Sequence, residues 1–246
     1  MSRIFVCGDT HGSIDIAKLG KKNWVEQKEL NENDVLIILG DFGLFWYGVE
    51  TKEEKYWLNW LLDKSIQIAF IDGNHEAFPR FDDNRISDKW NGKVQICKSN
   101  DKQDKHIYRL RRGEVYNIGN KTIFTMGGAL SIDKHLRTEH ISWWKEEAHS
   151  YQDWYNADAN LYKHKNCVDY ILTHTCPFSI AKKMNLFYYQ NTFIDPAMTS
   201  FDNLLKEKIK FKQWHFGHFH RDNGNLPLVY KDKFFSHYNN IPFELI

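Results

Sequence analysis

The sequence is short of several things, and each shortage removes a class of protein. Its 246 residues contain no run of eighteen or more apolar residues, so nothing reads as a membrane-spanning helix. Neither sign of charge dominates: 33 Lys and Arg stand against 32 Asp and Glu, a net charge of +1, which leaves no global electrostatic footprint for nucleic acid. The four cysteines (Cys7, Cys97, Cys167, Cys176) show no CxxC spacing, and free thiols in a reducing cytoplasm are the expected state. Internal repeats, low-complexity tracts and a Pro/Ser-rich linker are missing as well, which predicts one domain over residues 1–246. The N-terminal MSRIFVCGDTHG enters an apolar run at once and lacks the layout of a secretory signal, which points to the cytoplasm.

What is present is a core and one repeated theme. Hydrophobic residues make up 42% and aromatics 15%, enough for a substantial interior. Five times a short apolar, β-branched run ends and metal-binding residue types follow: RIFVCGDTH, DVLIILGDFG, IQIAFIDGNHE, CVDYILTHTCP and KQWHFGHFH. Runs that are apolar throughout read as strands covered on both faces. Helical stretches lie between them, such as 50–64 with Trp57, Trp60, Leu61 and Lys64 at helical spacing, so an α/β layered fold is predicted. Residues 107–130 break the alternation and read as consecutive antiparallel strands with turns at Gly113 and Gly119. Residues 131–165, rich in Trp and Tyr, read as a helical cap or lid insert.

Ligands of open α/β sheets gather beyond the carboxyl ends of strands, which is where all five polar clusters fall. The residues there are Asp9, His11, Asp41, Asn74, His75, His174, His218 and His220. Carboxylates, neutral imidazoles and an amide oxygen together suit divalent transition metals. In GDTH and GHFH the i and i+2 residues share one side of an extended segment, so each pair can grip one ion. Asp41 stands alone in its cluster, and a central carboxylate with two oxygens can bridge two cations roughly 3.5–4 Å apart.

In this order, DxH, GD, GNHE, TH and GHxH resemble the signature of the calcineurin-like metallophosphoesterases, from residue 9 to residue 220. The resemblance implies a four-layer αββα sandwich of two mixed sheets flanked by helices, with a dinuclear metal centre. It implies that Asp9, His11 and His220 hold one metal, that Asn74, His174 and His218 hold the other, and that Asp41 bridges them. His75 would face the substrate and assist the leaving group while a water held between the metals attacks phosphorus in line. Mn²⁺ is the working ion expected, with Fe, Zn, Co and Ni also suited to such ligands.

The departures from the family pattern are informative. GDFGLFW, residues 40–46, has neither the second acid of GDxxD nor the arginine of GDxVDRG, which argues against the protein Ser/Thr phosphatases and the dinucleotide hydrolases. GGALSIDKHLR with the following SWW resembles a segment of a bacterial and phage-type subset. The missing phosphate clamp must come from elsewhere: Arg137 is the first candidate, with a structural pair to Asp133 as its alternative, and Arg80 the second. Trp143 and Trp144 read as lid core rather than a stacking platform. Arg109, Arg111 and Arg112 read as a solvated strand face, and His135, His140 and His149 as solvated. The expected substrate is a small phosphorylated molecule, nucleotide-like or a phosphomonoester. A phosphodiesterase or nuclease acting on nucleic acid and a non-catalytic scaffold are the alternatives.

Overall fold

The computed structural model of the chain describes residues 2–82, 85–100, 103–186, 194–222 and 232–246. A seven-stranded sheet comprises β1 (Ile4–Cys7), β2 (Val35–Leu39), β3 (Gln67–Ile71), β4 (Ile86–Lys89), β5 (Gly92–Asn100), β6 (Lys105–Leu110) and β12 (Phe243–Glu244). Its order is β12-β1-β2-β3-β6-β5-β4, with β1, β2, β3 and β6 parallel and the outer strands antiparallel. A five-stranded sheet holds β7 (Glu114–Ile118), β8 (Lys121–Met126), β9 (Tyr170–Thr173), β10 (Gln213–Phe216) and β11 (Phe234–Ser236) in the order β11-β10-β9-β8-β7. Only β7 runs antiparallel to its neighbour there.

The period-two alternation of side chains sorts these apolar runs into layers. Along β2, Val35, Ile37 and Leu39 join a core between the sheets with Tyr116, Ile123, Tyr170 and Leu172. Leu36 and Ile38 point the other way, into a cluster with Leu58, Leu61 and Leu62 of helix α1 (Lys52–Leu62). On the far side, Phe124, Ile171, Trp214 and Phe216 pack with residues of α2 (Tyr151–Lys163), α3 (Phe178–Lys183) and α4 (Pro196–Lys206). Helix, sheet, sheet, helix is the expected four-layer order. Each fully buried aliphatic side chain contributes roughly 1.5–3 kcal/mol, and β2 has five in a row, so the residues just past its end are held in place. A capping box of Thr51 and Glu54 starts α1, close to the expected stretch.

Four expectations need correction. Residues 107–130 are not one antiparallel run: β6 belongs to the first sheet and β7 and β8 to the second, so the chain changes sheets at 111–113. Arg109 and Arg112 are not solvated either. Both grip the buried carboxylate of Asp72, with Nε contacts of 2.9 and 2.7 Å, while Arg112 also donates to the carbonyls of Glu146, Glu147 and Ala148. Charge clustering in a sequence does not reveal a buried acid 37 residues away, which is why the solvated reading failed. Third, the 131–165 segment divides. Residues 131–148 form a loop with two short 3-10 turns, and α2 is the outer layer over β7, with Ala157 and Leu161 in the core. His149 is not solvated: it packs against Trp154 and Phe201, with Nε2 2.6 Å from the Gly127 carbonyl. Trp144 is buried, but in the cluster on the α1 side of the first sheet rather than in the core of a separate lid. Cys7 and Cys176 are buried free thiols, and burial pushes Cys7 up to about 12, so neither is a reactive thiolate. No helix among the described residues is long and apolar enough to cross a membrane.

Burial opposes the charge on Asp72, but the two guanidinium groups overcome it and hold the carboxyl down to about 2. A depressed folded pKa adds stability above the unfolded value near 3.9, and that stability is lost as pH falls toward 2, about 2.5 kcal/mol in all. Asp72→Asn strands the buried Arg112 charge and is expected to cost about 3–5 kcal/mol in denaturant unfolding at neutral pH. It should also flatten stability between pH 4 and 2; a loss under 1 kcal/mol contradicts this account of the sheet junction.

Candidate metal centre

Asp9 and His11 follow β1, Asp41 follows β2, Asn74 and His75 follow β3, His174 follows β9, and His218 and His220 follow β10. The two sheets bring these carboxyl ends to one place. Donor atoms of Asp9, His11, Asp41 and His220 lie within 4.8 Å of one another, and so do those of Asp41, His174 and His218. Asp41 is common to both groups. Its Oδ1 lies 3.4 Å from His174 Nε2, and its Oδ2 lies 3.7 Å from His11 Nε2 and 3.9 Å from His75 Nε2. Asn74 joins the second group, its Oδ1 3.0 Å from His174 Nε2.

The backbone is bent to make this convergence. His11, Asp41, His218 and His220 all sit at positive φ, between 43° and 71°, a region that non-glycine residues enter at a cost of order 1–3 kcal/mol each. Such strain persists only where the surroundings hold it. Here the Asp41 carbonyl accepts from Thr10 N and His11 N, and Asp41 Oδ1 accepts from the Asn74 and His75 amides, each at 3.0 Å. Gly73 is required beside it, because a Cβ there would stand 2.1 Å from Asp41 Oδ1.

Neighbouring groups aim the histidines. His11 Nδ1 meets Asp15 Oδ2 at 2.7 Å and His174 Nδ1 meets the Leu39 carbonyl at 2.8 Å, which turns each Nε2 into the site. Asn74 Nδ2 donates to Ser131 Oγ at 2.9 Å, and Ser131 Oγ in turn donates to Glu147, so the amide oxygen faces His174.

The donor set fits cations. Asp9 and Asp41 are fully buried, and among the described residues no Lys or Arg pairs with either carboxylate. Burial alone lowers the pKa of His11 and His174, but the charge and hydrogen bonds of Asp41 outweigh it and push them up to about 9 and about 10. In the metal-free chain these imidazoliums supply the compensating charge, whereas burial and His174 hold His218 down to about 3. Two buried carboxylates offset only by histidines is the chemistry of a site whose protons give way to metal.

His75, Trp46, Arg137 and Asp133 form the open side. The His75 ring stacks on Trp46, centroids 4.7 Å apart at 18°. Arg137 Nη1 lies 2.7 Å from His75 Nδ1, and the same guanidinium makes a two-point pair with Asp133 at 2.9 and 2.7 Å. Both readings of Arg137 therefore meet in one side chain: it pairs with Asp133 and it reaches the site. Arg80 does not reach it, being held by Glu54 and the Tyr47 carbonyl. Three residues were not anticipated. Trp46 sits in what reads as an apolar tail, Glu147 lies in the aromatic segment, and Glu76 closes GNHE without metal-facing atoms. Buried Glu76 accepts from Phe42 N at 2.7 Å and Gly73 N at 2.6 Å, tying the segments after β2 and β3. Burial and nearby Asp41 push it up to about 8.

A two-sheet αββα sandwich with a His/Asp cluster at its strand ends defines a metallohydrolase-like architecture. The family model for calcineurin-like phosphoesterase matches residues 2–222, and the chain belongs to that family. Membership implies hydrolysis of phosphoric esters, and family members typically bind two divalent metals. Among curated proteins, none matches the chain.

Glu76→Gln places an amide donor against one of two backbone N–H donors in a buried setting. The expected cost is about 1–3 kcal/mol in chemical denaturation; an unchanged midpoint contradicts the tie between the two loops.

Proposed function

We propose that the protein is a dinuclear, metal-dependent phosphoesterase that hydrolyses a small phosphate monoester. The observation that carries this reading is the sharing of Asp41 between two clusters of donors, beside which His75 stands on the open side. Asp9, His11 and His220 would hold one ion, Asn74, His174 and His218 the other, and Asp41 both. When bound, two divalent cations neutralise the phosphoryl oxygens and lower the pKa of the attacking water. Imidazole and carboxylate donors suit Mn²⁺, the working ion of this reading, as well as Fe, Zn, Co and Ni.

The chain's own residues account for the remainder. His75 faces the leaving-group side and gives its proton to the departing oxygen. Burial and the Arg137 charge lower the pKa of His75 against the pull of Asp41, so its acid form belongs to the acid side of neutrality. Arg137 supplies the phosphate-binding charge that GDFGLFW lacks. Asp133 takes two of its donors, and a phosphate oxygen competes with His75 Nδ1 for Nη1. Free thiols at Cys7, Cys167 and Cys176 support a reducing, cytoplasmic setting.

With Mn²⁺ the protein is expected to hydrolyse p-nitrophenyl phosphate, to lose that activity with chelator, and to favour it at least tenfold over bis-p-nitrophenyl phosphate. The reverse preference would make it a diesterase; no metal-dependent turnover of either ester would make it a scaffold. His75→Ala should leave bound metal intact and slow alkyl phosphates far more than p-nitrophenyl phosphate, and the wild-type rate on alkyl phosphates should already fall as pH rises through the range below 6.5, where the lowered His75 loses its proton. Arg137→Ala should lower kcat/KM by about 10- to 100-fold, the loss of one charge-assisted contact of about 1.5–3 kcal/mol.

A further inference from the structure

Beside His11 the site opens sideways into a cavity of about 260 Å³, bounded by the turn at 12–14 and the segment 43–54. Gly12 and Gly43 line it where their two backbones pack against each other. Both have positive φ, and a Cβ on Gly43 would lie 2.2 Å from Gly12 N. Part of the wall is apolar: Leu44 is buried, Trp46 is half-buried against His75, and Ile14 and Tyr47 are 77% and 53% exposed, while Ser13 and Thr51 add hydroxyls. Scattered exposed apolar side chains mean little. Two that face one cavity, whose inner end is a residue of the metal cluster, are a different matter.

The charge of the lining is one-sided. Glu53 and Glu54 contribute to it, and no Lys or Arg does. Glu54 is spent on Arg80, Thr51 N and Trp46 N. Exposed Glu53 has no hydrogen-bond or ion-pair partner among the described residues, so its carboxylate is available to a ligand. A phosphate or carboxylate placed there meets a like charge, whereas an O–H or N–H donor meets an acceptor. The volume admits one ring system and leaves no room for a second nucleotide.

We propose that this cavity is the leaving-group subsite. It takes a leaving group that carries one planar aromatic ring system, is uncharged apart from the transferred phosphoryl group and offers hydrogen-bond donors toward Glu53, as a nucleoside does through its base. Ile14 and Tyr47 then determine specificity, and a polynucleotide is refused by the carboxylate and by size. This rests on the phosphoesterase reading, of which it specifies the substrate class.

The test compares wild type with Ile14→Ala and Tyr47→Ala, alone and combined, in the Mn²⁺-loaded full chain. Adenosine monophosphate should show a KM raised about tenfold in the double variant with kcat nearly unchanged, while inhibition by inorganic phosphate stays as in wild type. Glu53→Lys should improve kcat/KM for adenosine 3′,5′-bisphosphate at least tenfold relative to adenosine monophosphate. Unchanged KM in the double variant, or equal shifts for nucleotide and inorganic phosphate, overturns the subsite while leaving the phosphoesterase reading intact. Absence of all Mn²⁺-dependent turnover would overturn that reading instead. Adenosine alone, titrated into ¹⁵N-labelled protein without metal, then decides the cavity by itself. Shifts at the Trp46 indole and the Tyr47 and Thr51 amides support the subsite, and their absence overturns it.

Discussion

Two fully buried carboxylates, Asp9 and Asp41, with no lysine or arginine paired to them among the described residues, are the constraint on which the rest of the structure depends. Isolated charges in an interior cost far more than a domain's net stability, so something positive must face them. Histidines do so in the metal-free chain, at raised pKa, and the proposed role of the site is to replace those protons with cations. Much else follows from keeping that arrangement. Four residues of the cluster hold left-handed backbone, Gly73 gives Asp41 room, and Glu76 ties together the loops on either side.

A third buried aspartate plays a different part. Asp72 is neutralised outright by Arg109 and Arg112, and Arg112 extends from it to the carbonyls at 146–148. That connection fixes the base of the 131–148 loop. The loop in turn places Ser131 and Glu147 behind Asn74 and Arg137 against His75. The same residue type at neighbouring strand ends thus has two fates, set by whether guanidinium groups or imidazoles surround it. The first builds a rigid junction; the second leaves a charge deficit suited to metal.

Much of this was legible in the sequence, and the limits have physical causes. The layers could be read because strands buried on both faces must be apolar throughout, as VLIIL of β2 is. The eight residues at the strand ends were legible because metal-ligating types are few and the ordered motifs place them all at strand ends. The sheet switch after β6 was not, since pairing partners depend on long-range register that local alternation does not encode. Arg112 looked solvated because its partners, Asp72 and three carbonyls, are distant in sequence. Trp46 was not anticipated because nothing local says that its ring meets an imidazole.

GDFGLFW combines these threads. Its acid is shared by both donor clusters, its Gly43 lines the cavity beside His11, and its Trp46 supports the ring of His75. The segment that lacks a phosphate-clamping arginine instead lines the place where the leaving group is proposed to sit. The central claim is the bridging role of Asp41, and low-temperature electron paramagnetic resonance of the Mn²⁺-loaded protein, with metal analysis of the same sample, tests it most directly. The account predicts two ions per chain and the spectrum of an exchange-coupled pair, as expected for ions roughly 3.5–4 Å apart, with the coupling lost in Asp41→Asn. One ion per chain, or the spectrum of isolated Mn²⁺ at full loading, would contradict it.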